Sequence, residues 1–234
     1  MSTYNRRQYG VTLIELMVAM TISLVVSLAM VSMMANTLGT GTRTIAMAKL
    51  TAELRTAMQI MSRDVRRANY HGNFVKCFAN LDCRTILDNG NGDASGYIQS
   101  ITVQNGDCFF YWFDRDSDGD ATDDDDVGAF RRFVVLVNGQ NRGVIQMTTT
   151  RNLAPSCTSG IYWTAITDPN LIDVTAFTVG NALSYTDVIT GGGGTQSIDK
   201  ISMSITAELV RDASITRTIQ DIIRVRNDIF ATAP

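Results

Sequence analysis

The sequence holds a single histidine, His71, and no cysteine or histidine lies at zinc-ligand spacing around it. A lone histidine beside a glycine reads as a capping or surface residue. No Gly-x-Ser-x-Gly elbow, Walker loop or dinucleotide fingerprint is present, which removes the nucleophile-elbow hydrolases, P-loop enzymes and dinucleotide-dependent enzymes. No pair of acids can be assigned to a cleft, so the chain reads as non-enzymatic. It also lacks a basic excess: the formal charge is −3. Sequence-independent nucleic-acid binding relies on a basic face, so no nucleic-acid partner is expected. No internal repeat is visible, and no second long hydrophobic run follows the first. With 45% hydrophobic and 18% charged residues in 234, the composition suits a globular domain with an extension rather than a disordered chain.

The one long hydrophobic run lies between Val11 and Ala35 and reads VTLIELMVAMTISLVVSLAMVSMMA, with Glu15 its only charge. Its length suits a single helical crossing of a bilayer, which takes roughly 20 residues. Arg6 and Arg7 precede it, and the bias of basic residues toward the cytoplasm places the domain after Ala35 outside. Cys77, Cys83, Cys108 and Cys157 suit that oxidising side. Four cysteines allow three pairings; a local Cys77–Cys83 clasp with a long-range Cys108–Cys157 bridge is favoured, with free buried thiols as the alternative. A secretory signal does not fit the run, which is too long and has its candidate cut, at Gly10, in front of it. A plain anchor leaves Glu15 unexplained, because an acid this deep costs about 3 kcal/mol on insertion scales.

The segment Gly10-Val11-Thr12-Leu13-Ile14-Glu15-Leu16-Met17-Val18-Ala19 resembles the type IV prepilin motif. The resemblance implies cleavage after Gly10 by a prepilin peptidase and methylation of the new terminus at Val11, where the family usually has Phe. It also implies an assembly role for Glu15, the fifth residue of the mature chain. In a low-dielectric helix bundle an unpaired acid is costly and a paired one sets register between neighbours. Losing residues 1–10 takes away two arginines and no acids, which moves the formal charge from −3 to −5.

Beyond Ala35, Met47, Leu50, Leu54, Met58, Met61, Val65 and Ala68 recur at steps of three or four, one stripe of an amphipathic helix. Lys49, Glu53, Arg55, Arg63, Arg66 and Arg67 lie opposite. The period predicts one helix from near Val11 to about Asn69, softened around Gly39-Thr40-Gly41. Strand-length patterns follow at Ile98–Val103, Cys108–Phe113, Phe130–Val137, Val144–Thr149, Ile161–Ala165, Asp173–Val179, Ile201–Leu209 and Thr216–Arg226. Gln104–Asp107 is a hairpin signal, while Asn138–Gly143 and Gly191–Gly194 read as connecting loops. Trp112 and Trp163 read as core or strand-face residues. The layout is α+β.

That layout resembles the pilin fold, a long N-terminal helix packed on an antiparallel β domain. Arg63–Gly72, Cys108–Asp114 running into an Asp/Gly loop and then Gly128-Ala129-Phe130-Arg131, and Ile223–Asn227 are similar to PilW-like minor pilins. GspJ-like pseudopilins of type II secretion share the architecture. The resemblance implies a leader at residues 1–10, a membrane or filament-core helix at 11–35, an amphipathic helix at 36–70 and an extracytoplasmic β domain at 71–234. It implies a subunit of the inner membrane that passes into a surface filament. The implied partners are the prepilin peptidase, other minor and major pilins and a tip adhesin. The implied role is priming of filament assembly. Service in a secretion pseudopilus, or ligand binding as a pilus-borne adhesin, is the alternative.

Asp114-Arg115-Asp116-Ser117-Asp118-Gly119-Asp120 fits a calcium-loop template, with oxygens at alternate positions and a glycine at the sixth. Asp120 would offer its carbonyl, Thr122 would serve the ninth position, and Asp125 replaces the usual bidentate glutamate with a shorter arm. No cofactor is required on this reading, and Ca²⁺ is the one ion the template suggests. A solvated acidic hairpin tip is the other reading, since strands rather than EF-hand helices flank the loop.

Overall fold

The computed structural model describes residues 10–70, 72, 101–117, 126–148, 157–158, 162–189 and 194–232. Cys77, Cys83 and His71 lie outside them, as do Asp118, Asp120, Thr122, Asp125 and the leader ahead of Gly10. The chain divides into two compact units, Met1–Ala48 and Lys49–Pro234.

The first unit is the N-terminal part of a single 55-residue helix, α1 (Leu13–Arg67). The helix is unbroken at Gly39-Thr40-Gly41, where softening was expected. A helical glycine costs only about 1 kcal/mol relative to alanine, which a hydrogen-bonded ladder absorbs. The local threonines also bond back to it: Thr40 Oγ1 donates to the Asn36 carbonyl at 3.0 Å, and Thr44 Oγ1 to that of Thr40 at 2.9 Å. Among the described residues, α1 is the only helix long and apolar enough to cross a membrane.

Among the described residues the second unit holds the end of α1 and eleven strands. A five-stranded antiparallel sheet runs in the order β1 (Thr102–Gln104), β2 (Cys108–Trp112), β3 (Val127–Val137), β4 (Gln140–Thr148) and β5 (Trp163–Ala165). A three-stranded sheet places β9 (Lys200–Leu209) between β6 (Ile172–Gly180) and β10 (Asp212–Arg224). A third sheet places β8 (Gly194–Ile198) between β7 (Tyr185–Ile189) and β11 (Ile229–Thr232).

The helical stripe is buried in this unit at Leu50, Leu54, Ala57, Met58, Met61 and Val65. Leu50 is the first fully buried residue of α1. Residues 36–45 are exposed, and Asn36–Thr44 offers Leu38 as its only large apolar side chain. On β9, Ile201, Met203, Ile205, Ala207 and Leu209 are all buried, the period-two face expected of a half-covered strand.

Strand β2 is buried on both faces. Phe109 and Tyr111 join Phe113 and Phe130 in an aromatic cluster, with Tyr111 stacked 5.8 Å from Phe130 and 6.0 Å from Phe113. Cys108 and Phe110 turn to the other face, where Trp112, Cys157 and Trp163 cover them. Gly128 stands opposite Tyr111, and a Cβ there would sit 2.1 Å from the phenol ring, so only glycine fits.

Two connections differ from expectation. Asn138 and Gly139 alone turn β3 into β4, both at positive φ (51° and 78°), so β4 starts at Gln140 and not at Val144. This Asn-Gly pair is the favoured two-residue hairpin turn. Gly194 is the first residue of β8 rather than the end of a loop.

Candidate functional site

Four places carry candidate functional residues, one built by local sequence chemistry and three by pairing across the chain. At the start of α1, Thr12 caps the helix and Glu15 completes a reciprocal capping box. Glu15 Oε2 accepts from the Thr12 amide at 2.9 Å and from Thr12 Oγ1 at 2.8 Å, while the Glu15 amide donates to Thr12 Oγ1 at 3.4 Å. The pair satisfies donors that every helix N-terminus leaves open. Residues Leu13 through Met34 are exposed throughout, including Leu13, Met20, Leu24, Met30 and Met33. A ring of apolar side chains on every side of a helix is the pattern of a lipid- or bundle-embedded segment, not of a soluble surface. Gly10 and Val11 precede it, exposed.

The end of α1 is anchored by a polar set that sequence reasoning did not single out. Asn69 adopts the left-handed conformation (φ 63°) and its amide donates to the Trp112 carbonyl at 2.8 Å. Its side chain reaches Asp199 and the Asn227 carbonyl, each at 3.3 Å, and Asn227 returns a bond to the Ala68 carbonyl at 2.9 Å. Buried Tyr111 donates its hydroxyl to Asp64 Oδ2 at 3.1 Å. Burial, then the Asp64 carboxylate, pushes that hydroxyl well above its ordinary value of 10.0. These contacts seat the end of the helix on the sheets.

The acidic stretch begins beside this anchor. Asp114 is buried; its amide donates to the Tyr70 carbonyl at 2.8 Å and its Oδ2 accepts from the Gly72 amide at 2.6 Å. Asp126 is equally buried, and its Oδ1 accepts from the Arg115 amide at 2.8 Å. Asp114, exposed Asp116 and Asp126 bring carboxylate oxygens within 4.8 Å of one another. Asp126 was absent from the template reading, because that template counts twelve positions and stops at Asp125. The pairing of β2 with β3, Trp112 opposite Val127, returns Asp126 to the side of Asp114.

Cys108 and Cys157 form a disulfide across 49 residues of sequence. Arg131, opposite Cys108 in the β2–β3 register, donates to the Cys157 carbonyl at 3.0 Å and to Gln146 at 3.0 Å. Its guanidinium lies 4.1 Å from the Trp163 ring and 4.3 Å from that of Phe133. Bridge, arginine and tryptophan together close the outer face of the five-stranded sheet.

Compared with known families, residues 43–225 match the model of prepilin peptidase-dependent protein B, and residues 5–31 match the prokaryotic N-terminal methylation motif. No curated protein and no solved structure matches the chain.

Proposed function

The chain belongs to the family of prepilin peptidase-dependent protein B, and from that premise we propose that it is a PilW-like minor pilin that primes type IV filament assembly. At the coarser level it is a pilin-like, membrane-anchored, single-pass protein bearing the methylation motif. The observation that carries the proposal is the apolar first unit: Leu13 through Met34 are exposed, and Glu15 is the only charge among them. Such a helix is soluble in lipid before assembly and in a bundle of like helices after it. Cleavage after Gly10 would free the Val11 amine beside the Thr12–Glu15 cap, where a neighbouring subunit could meet both charges. The β domain would then stand on the periplasmic side and travel to the cell surface with the filament. Its work is scaffolding, without catalysis or a required cofactor.

The test is recruitment of sibling subunits in native membranes, identified as proteins that carry the same prepilin motif. Glu15→Ala should lose them while staying membrane-bound. Retention of siblings at the parent level would overturn the docking role of Glu15.

A second proposal concerns the acidic stretch. Three carboxylates, two of them buried, converge within 4.8 Å, an all-oxygen donor set of the kind a hard divalent cation takes. Asp114, Asp116 and Asp126 would supply the protein oxygens for Ca²⁺. Calorimetry on the full chain in detergent should show heat at millimolar calcium, lost in Asp116→Ala; no heat, or an unchanged Asp116→Ala titration, would remove the ion from the account.

A further inference from the structure

Arginine outnumbers lysine 17 to 3 in this chain, and five arginines line one groove. Arg55, Arg63, Arg66 and Arg67 come from the solvent side of α1, and Arg226 comes from the segment that follows β10. The groove has a volume of about 510 Å³, and Asp221 is the only acid on its walls. Asp221 is already engaged by Ser62 Oγ at 3.1 Å and by the Ile222 amide at 2.9 Å. Arg63 leans on Asp64 at 3.1 Å and Arg67 on the Phe113 ring at 4.7 Å, which holds their stems in place. The Arg226 amide bonds to the Arg66 carbonyl at 3.3 Å, fixing the two walls to each other. An acidic protein therefore concentrates nearly a third of its arginines along one groove of opposite sign.

The floor is not charged. Its apolar surface comes from Met58, Ile219 and the aliphatic stems of the arginines, beside the uncharged Gln59, Ser62 and Gln220. Twelve helical steps lead from Arg55 to Arg67, about 18 Å of axis, which an extended segment of about five residues would follow. We infer that this groove is the docking site for an acidic segment, with apolar side chains between its carboxylates, from a sibling subunit of the same filament. Guanidinium forks match carboxylates in geometry, and the apolar floor takes the side chains between them. A nucleic-acid backbone would use the arginines and leave that floor empty. The net negative charge of the chain would also oppose its approach over distance. The inference rests on the assembly reading above for the source of the segment, not for its chemistry.

The full-length chain in non-ionic detergent is titrated with an alternating glutamate–leucine peptide, a glutamate–serine peptide of equal length and a short DNA duplex. The glutamate–leucine peptide should bind best, and a combined Arg55→Gln, Arg66→Gln, Arg226→Gln variant should weaken it by about tenfold. Asp221→Asn should tighten it by about two- to threefold, an effect of opposite sign that misfolding would not produce. Tighter binding of DNA than of peptide, indifference to leucine against serine, or unchanged affinity in the triple variant would overturn the assignment. So would self-association of the chain abolished by the triple variant, since that makes a second copy the occupant. In native membranes the triple variant should recruit fewer siblings than the parent. If Glu15→Ala loses siblings and the triple variant keeps them, the groove assignment fails and the assembly reading stands. If neither variant changes recruitment, the assembly reading fails.

Discussion

Residues 13–48 and 49–67 belong to one helix and obey opposite rules. In the first stretch the large apolar side chains from Leu13 to Ile45 face outward on every side, as at Leu24 and Met33, and only Glu15 and Arg43 carry charge up to Ala48. In the second, Leu50, Leu54, Met61 and Val65 are sealed in a core while Arg55, Arg63, Arg66 and Arg67 face out. Secondary structure is therefore uninformative about environment here; the angular distribution of apolar residues carries that information. The stretch with apolar side chains on every side needs another solvent, and the stretch with one buried stripe builds an ordinary folded domain. The domain also has devices that the first stretch lacks: a disulfide, an aromatic cluster and a polar helix anchor.

That contrast breaks most visibly under substitutions matched across the two stretches. Removing the bridge by Cys108→Ser with Cys157→Ser should have the largest effect, about 4 kcal/mol for a loop of 49 residues, read by chemical denaturation of the full chain in detergent. Recruitment of siblings through the helix should suffer only as the domain unfolds. Leu54→Ala, at 0% exposure, should cost about 3 kcal/mol, whereas Leu24→Ala, at 63% exposure, should leave the denaturation midpoint of the domain unchanged. Equal costs at the two leucines would erase the distinction.

Tyr111→Phe should cost about 1–2 kcal/mol by leaving Asp64 Oδ2 without its buried donor. The raised Tyr111 value also sets a pH signature. An unfolded tyrosine ionises near 10 and the buried one does not, so its contribution is complete below pH 10 and is lost as pH climbs above it. The alkaline fall in stability should be shallower in Tyr111→Phe. The smallest effect is expected at the other end of the helix. Thr12→Ala removes the cap, at about 1 kcal/mol of local helix stability, and should speed hydrogen exchange near Leu16 without moving the midpoint of the domain.

Much of this was legible in the residue pattern. The apolar run, the prepilin-like segment around Glu15, the Leu50–Val65 stripe and the alternation on β9 all report local periodicity, which sequence states directly. Three features depend on long-range pairing and were not. Asp126 joins Asp114 only because β2 and β3 run antiparallel with Trp112 opposite Val127. The Asn69–Asn227 anchor links positions 158 residues apart. Strands β7 and β8, Tyr185–Ile189 and Gly194–Ile198, carry threonine, serine and glutamine where a hydrophobic repeat would announce them; β7 is mostly exposed. The start of β4 was misplaced for a different reason. Gln140 and Asn141 are polar because they form the solvent-facing end of a hairpin, and Arg142 because it pairs with Asp173, not because they form a loop.

The central claim is that the apolar stretch from Val11 is a permanent, processed assembly helix and not a disposable signal. Intact-mass and N-terminal analysis of the chain recovered from membranes, with its prepilin peptidase present, tests it directly. The account predicts a chain that begins at Val11, is one methyl group heavier than the bare sequence and stays in the membrane fraction. A chain that still begins at Met1, or one cut beyond Ala35 and released, would contradict it.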